Sequence, residues 1–591
     1  MPKRVNLNDE QRAMLNGEQG LAKQMGMRLL LDMAAAAGAT ELVPITSAHL
    51  SGVSPLTGGL GLRQFLAKLT ADPLAQVAVP TTLNSAGCDE AQFSAMHITA
   101  PNFLQHNHEI VQHYTRLGVR PTQSCTPYEW DGVVTKGMAA WAESNAICYG
   151  NSYCGLQTNR ESGLSALTCA LTGYTPLYGL LTEAARRPNL AVRVSARLDD
   201  PTDYSILGDW IGKQRQSYWR MPYGPIPLIE GLAANVGHEQ RKALSAAAAN
   251  YGCPLLYLAG EPAPEGAFQD HLQFDAETLA ERYEALKPRT TVSLITIGCP
   301  QASMGELRAV ARLLQGRRVR SEPSAAGEMP PLWIFTSSAN KAIAENTGVA
   351  QIIRESGALL LENTCPEVVP YDKSWVAHIL TNSMKAEHYI KSGLNGIPTS
   401  VAALADCIKV ATGDTVVAAA NDLLGPIATL QVAGSGAAPV VAGPLQSGPF
   451  TVSGRGLPSQ GDFVIRGEAF VSPEPITYLG YVNRQTGAVE EAGHPRDGQS
   501  MAGKIAIYPK GSGSSVAPYV LLELYYRDRA PRAIVNTDID QQTAPACSLE
   551  GIPYAFDFDG DVIKNINHGD RIELKRSAEQ VTLSILERRS A

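Results

Sequence analysis

Between residues 275 and 410, three short apolar runs, "TVSLITIG", "PLWIFTSS" and "GALLLEN", alternate with helical segments such as "SMGELRAVARLLQG" and "KAIAENTGVAQIIRESG". This alternation predicts parallel strands joined by crossover helices. Ligands in open parallel sheets collect beyond the carboxyl ends of the strands. Cys299 follows "LITIG" directly and Cys365 follows "LLLENT", so two thiols are expected at that edge.

The same texture runs upstream. "LNDEQRAMLNGEQGLAKQMGMRLLLDMAAAAGAT" reads as helix, with Asn8 as cap, Gln11 answering it and Gly38 closing the last turn. "ELVPI", "LAQVAVP" and "LAVRVSARL" read as strands, with helices at "PNFLQHNHEIVQHYTRLG" and "GHEQRKALSAAAANYG". The fold class is therefore α/β. A chain of 591 residues, at ~150 residues per domain, implies about four domains.

Near 430 the texture changes to "QVAGSGAAPVVAGPLQSGPF", which has no charge and is rich in Gly, Ala and Pro. It reads as a linker over 431–449, separating a large portion, 1–430, with two to three subdomains, from a unit at 450–591. That second unit is expected to be β-rich or α/β, with strands at "FVIRGEAFV", "ITYLGYV", "KIAIYP", "YVLLELYY" and "RAIVN".

A net charge of −8 with 18% charged residues argues against nucleic acid and anionic membranes as partners, leaving small molecules. The N-terminus lacks an apolar leader, and no apolar run reaches the ~18 residues of a membrane span, so a cytoplasmic setting is expected. Nothing in the pattern implies a particular oligomer. The ten cysteines include no CxxC pair, so a metal site would have to draw on ligands far apart in sequence.

Several motifs bear on chemistry. "PKGSGSSVAPYV" resembles a phosphate cradle, but Lys510 precedes both Gly511 and Gly513, the wrong order for a Walker A loop. In "HNHEIVQH", His106 and His113 share a helical face while His108 points about 160° away, which reads as a solvated face rather than a metal site. Cys125, Cys299 and Cys365 each sit in a loop after an extended run, followed by Pro or Thr-Pro. They are either buried thiols or three ligands of an iron–sulfur cluster with one iron open to substrate. Four polar stretches contain Ser47 and His49; Asn84; Ser144, Asn145, Asn151 and Arg160; and Asn382 and Lys385. They serve as turns and caps, or they line a pocket for a polar anion whose carboxylate meets Lys385 or Arg160. A hydrolase reading takes Cys148 or Cys154 as nucleophile with a distant histidine.

Taken together, "TSAHLSG", "SCTPYEW", "WAESNA", "TIGCPQAS" and "TNSMK", with the C-terminal "YVNRQTGAV" and "HPRDGQSMAGKIAIYPKGSGSS", resemble the aconitase X family from about residue 6 to 585. The resemblance implies an aconitase-like large portion and a small swivelling domain. It further implies a dehydratase with iron at Cys125, Cys299 and Cys365 and a serine base at Ser514. Gly511 and Gly513 would let amides approach the serine oxygen. Aconitase proper follows its two serines with a carboxylate-gripping arginine, where this chain has Val516; the family's usual loop arginine is replaced by Ser512. Fused members resemble cis-3-hydroxy-L-proline dehydratases, which form Δ1-pyrroline-2-carboxylate, whereas split archaeal relatives dehydrate mevalonate 5-phosphate. The first substrate is expected here, with a [2Fe–2S] cluster in preference to a mononuclear iron. An iron-dependent regulatory or RNA-binding role is the alternative from another class, and the acidic charge opposes it.

Overall fold

The computed structural model describes residues 5–214, 223–268, 270–320, 322, 329–413, 450–512, 514–540, 542–578 and 580–589. The linker expected at 431–449 lies outside the described residues.

The alternating region forms a five-stranded, fully parallel sheet. Its spatial order is Leu359–Glu362, Leu332–Thr336, Leu294–Ala302, Ile379–Thr381, Thr399–Val401. Leu294–Ala302 is buried at every position, which is why it reads as an uninterrupted apolar run. Its register shifts between Ile297 and Ala302, so Cys299 lies in the irregular end of the strand rather than in a loop beyond it. The next helix, Met304–Leu314, starts with a Ser303–Glu306 capping box. "KAIAENTGVAQIIRESG" forms two helices, Ser338–Asn346 and Val349–Ser356, because Gly348 turns left-handed (φ 76°) between them.

Among the described residues, two further sheets of three or more strands precede this one. Tyr257–Leu258, Pro227–Glu230, Leu190–Val194 and Asp270–Phe274 pair in parallel, in that order. A smaller parallel sheet joins Thr81–Leu83, Ala48–Leu50 and Ala140–Trp141. The expected strand "LAQVAVP" is absent. Its amides instead find isolated carbonyls, Val77 N–H on Leu117 and Ala78 N–H on Ala170, and the strand begins only after Pro80. The opening helix keeps its Asn8–Gln11 capping box, but left-handed Gly17 stops it, giving Asp9–Asn16 and Leu21–Ala37.

The C-terminal residues close into a seven-stranded barrel that includes Phe463–Val471, Ile505–Tyr508 and Ala533–Asn536. Two expected strands are not strands. "ITYLGYV" makes a kinked helical turn, Tyr478–Tyr481, and "YVLLELYY" lies in the helix Ala517–Tyr526. The second is apolar on nearly every side, so it carries no period by which to tell helix from strand. Burial explains the pattern: this helix packs on the helix Pro55–Thr70 of the N-terminal region. Contact is close enough that a Cβ at Gly61 would stand 2.4 Å from the Tyr519 carbonyl oxygen. One hydrophobic cluster accordingly runs through both regions, from Leu62 and Phe65 to Val516, Tyr519 and Leu522.

Candidate functional site

Two of the parallel sheets, the three-stranded and the five-stranded, deliver side chains to one place. Ser51 follows Ala48–Leu50, Asn84 follows Thr81–Leu83, and Glu143 lies just past Ala140–Trp141. Cys365 lies past Leu359–Glu362, and Lys385 opens the helix Met384–Lys391 after Ile379–Thr381. The barrel supplies Ser514 and Ser515 from the turn before Ala517–Tyr526. These residues, with Cys125 and Glu367, line a small, partly open cavity of about 40 Å³. A volume of that size holds about two or three waters.

Lys385 is the only cation among the described residues lining the cavity. It is 2% exposed and forms a close ion pair with Glu143, with Glu367 3.5 Å away. Burial opposes its charge, but Glu143 and Glu367 outweigh burial and hold its pKa well above the ordinary lysine value. Burial alone would raise Glu143; Lys385 pulls it below the usual carboxylate value. For Glu367 burial wins over Lys385 and the pKa rises. The Glu143 carboxylate is fixed by Asn84 Nδ2–H (2.9 Å) and by the Asn145 N–H (3.3 Å). Asn84 Oδ1 is buried and makes no hydrogen bond with the described residues.

The three sequence-selected thiols stand together at this wall. The Cys299 thiol donates to Glu367 Oε1 at 2.9 Å, and the Gln301 N–H donates to Cys125 Sγ at 3.3 Å. Cys365 lies within electrostatic reach of both Cys125 and Cys299. Burial pushes Cys125 up to about 12, and burial and then Glu367 push Cys299 and Cys365 well above the usual thiol value. Among the described residues, no three His, Cys, Asp or Glu side chains are drawn together as a ready shell for a metal ion. The donor set is nonetheless two thiols lining the cavity, Cys125 and Cys365, with Cys299 bonded to the cavity residue Glu367, and soft sulfur donors of this kind suit an iron–sulfur group.

Ser514 sits at the N-terminus of the ten-residue helix Ala517–Tyr526, and the Val516 N–H approaches its Oγ at 3.4 Å. The turn is tied to the N-terminal region: Gly163 N–H donates to Ser515 O (2.9 Å), Ser515 Oγ meets Ser51 Oγ (3.1 Å), and Tyr519 OH donates to Ser51 O (3.1 Å). Gly513 lies outside the described residues. Ser512, in the arginine's expected place, bonds Thr477 Oγ1 at 2.7 Å.

The other sequence-selected residues divide. Asn145 holds the Cys125 loop through its Nδ2–H to Cys125 O (3.1 Å). His49 stands behind Glu143, bonded to Thr82 Oγ1 at 2.9 Å, and burial lowers its pKa to about 4, so it is neutral. Arg160 donates to Ala249 O at 3.5 Å and lies in the electrostatic field of Lys510. Ser144 opens the helix Ser144–Tyr149, and Asn382 precedes the Ser383 cap. None of these seven lines the cavity, and two of them brace structure elsewhere. Ser47 bonds Val134 O and Trp141 Nε1, and Asn151 braces Thr158, Pro254 and Arg186. The hydrolase alternative fails on burial: Cys148 is wholly enclosed, and burial raises Cys154 to about 11, which suppresses the nucleophilic thiolate. Glu143 and Glu367 were missed in sequence, although each abuts a selected motif, "AESNA" and "TCPEV".

Three comparisons bear on this arrangement. The chain matches the aconitase X first domain over residues 4–184, the third domain over 292–413 and the swivel domain over 458–583. It is 35% identical to the phosphomevalonate dehydratase large subunit of Methanosarcina mazei over 416 residues, 69% of this chain and 97% of that one. It is 31% identical to the cis-3-hydroxy-L-proline dehydratase of Pseudomonas aeruginosa over 423 residues, 68% of this chain and 69% of that one. The crystal structure of Thermococcus kodakaraensis aconitase X in its holo-form superposes with a TM-score of 0.61 at 31% identity, covering 69% of this chain and all of that one.

Proposed function

Because this chain belongs to the aconitase X family and is thereby a hydro-lyase, we propose that it dehydrates cis-3-hydroxy-L-proline, with Ser514 as the base that takes the α-proton. The observation that carries the substrate choice is the charge of the cavity wall: two carboxyl groups, Glu143 and Glu367, against one lysine. Such a wall suits a zwitterion. A ring ammonium meets Glu143 and the open acceptor Asn84 Oδ1, while the carboxylate meets Lys385 and the hydroxyls of Ser51 and Ser515. A phosphate dianion would find a single cation already engaged by two carboxyl groups.

Removing a proton next to a carboxylate builds charge on an anionic group, so the site must supply fixed donors and exclude water. The turn at Ser514 does both. The N-terminal end of the helix Ala517–Tyr526 favours negative charge on Oγ, lowering the cost of the alkoxide. The barrel face closes the cavity to a few waters' volume, so substrate enters when the two regions part. Cys125, Cys299 and Cys365 would hold an iron–sulfur cluster, and the resemblance to fused members of the family favours [2Fe–2S] over a mononuclear iron. When bound, it supplies Lewis acidity for the departing hydroxyl. Lys385 remains charged and keeps the carboxylate oriented toward Ser514. We read the chain as a catalytic portion, 1–430, and a swivelling unit, 450–591, joined by 431–449, with a small-molecule carboxylate as partner.

A second reading, mevalonate 5-phosphate dehydration, draws on the 35% identity with the Methanosarcina subunit. A panel of cis-3-hydroxy-L-proline, its trans epimer and mevalonate 5-phosphate separates the two. Turnover of the first is expected; turnover of the phosphate alone overturns the substrate assignment.

A further inference from the structure

Gln301 is fully buried and stands two residues after Cys299. Its side-chain amide has two N–H donors, and both are used on the other cysteine loops: Nε2 donates to Thr364 O at 2.9 Å and to Gln123 O at 3.2 Å. Those carbonyls lie one residue before Cys365 and two before Cys125. The Gln301 backbone N–H goes to Cys125 Sγ itself at 3.3 Å. Its carbonyl accepts from Lys242 Nζ at 2.8 Å, and Lys242, 1% exposed, is balanced by Glu306 and by Glu129 at 3.7 Å.

The loops held this way are not relaxed. Gln123 (φ 46°) and Asn363 (φ 65°) are both left-handed non-glycine residues, each two positions ahead of its cysteine, and such backbone persists only where its surroundings fix it. Among the described residues, Gln301 is the one side chain seen to bond the backbone of both loops.

We propose that Gln301 is the positioning residue that ties the three cysteine loops to one another before iron arrives, so that Cys125, Cys299 and Cys365 need only close on the metal. The inference rests on the reading of these cysteines as iron ligands. No side chain lacking two donors substitutes for it: methionine keeps the volume without the hydrogen bonds, and glutamate aims oxygens at two carbonyl oxygens.

The test uses full-length, iron-reconstituted protein and follows iron release to a ferrous chelator, the visible absorption spectrum and the Tm. Q301M is expected to release iron at least about tenfold faster, as loss of a residue that orients metal ligands commonly does, with an altered spectrum and little change in Tm. A second measurement needs no variant. In iron-free wild-type protein, backbone amide exchange over 123–126, 299–302 and 363–366 is expected to stay as slow as in the loaded protein. Iron-bearing wild type with a Q301M variant that matches it in release and spectrum overturns the inference alone, as does release of those three segments to fast exchange once iron leaves. Wild-type protein that takes up no iron overturns the cysteine reading and the inference with it.

Discussion

Replacing Gly61 by alanine tests whether the docking of two helices sets the position of the base. The added Cβ would lie 2.4 Å from the Tyr519 carbonyl oxygen and 2.7 Å from the Glu523 nitrogen. Both are helix backbone, so no side-chain rotation relieves the contact. Ordinary contact begins at 3.4 Å, so the helix Ala517–Tyr526 must retreat by about 1 Å or the overlap must cost about 1–3 kcal/mol of stability. Ser514 is bonded to the start of that helix, its carbonyl accepting from the Ala517 N–H at 3.1 Å, and so it moves with it. A 1 Å displacement of a reacting group costs on the order of 100-fold in rate. G61A should therefore lose about 100-fold in kcat on cis-3-hydroxy-L-proline while keeping its iron, and G461A, whose Cβ meets nothing within 4 Å, should behave as wild type. The assay is steady-state turnover beside thermal unfolding. A G61A protein with wild-type kcat and wild-type Tm refutes the claim that this contact positions the base.

Two other outcomes follow from buried groups. Asp32 is fully buried and accepts from the Ser459 N–H at 2.7 Å and from the Ser459 and Ser548 hydroxyls, and burial raises its pKa above the ordinary 3.8. The folded protein then keeps a proton that the unfolded chain has released, so this group's contribution to stability falls as pH rises above 3.8. Denaturant titrations from pH 4 to 7 should show wild type losing ground to D32N as pH rises; a pH-independent difference contradicts this. C299S should weaken iron retention by more than about 100-fold, beyond the loss expected for a residue that only orients a ligand, whereas C148S should keep iron and turnover; iron and sulfide assays on anaerobically purified protein decide.

Local rules in the sequence set only part of the candidate site. Cys299 and Cys365 were expected at the sheet edge because parallel strands advertise their carboxyl ends, whereas Ser514 was singled out only by the resemblance of its loop to the aconitase superfamily. Glu143 and Glu367 were passed over because an acidic residue beside a polar motif ordinarily faces water; only the packing of two sheets around Lys385 makes them cavity walls. Gln301 was invisible for the same reason, since its partners are backbone carbonyls 63 and 178 positions away. The misread "YVLLELYY" is the counterpart in the fold: a helix buried against a second region has lost the polar face that would mark its period. Ser47 and Asn151 had the composition of a pocket and serve as braces.

In the proposed reaction the barrel region completes the active site by bringing Ser514 across to a cavity walled by the cysteine loops. Turnover of cis-3-hydroxy-L-proline by iron-loaded S514A, read beside its iron content, tests it most directly. Turnover is expected to be lost while iron is retained at the wild-type level. Near-normal turnover by S514A with full iron would contradict it.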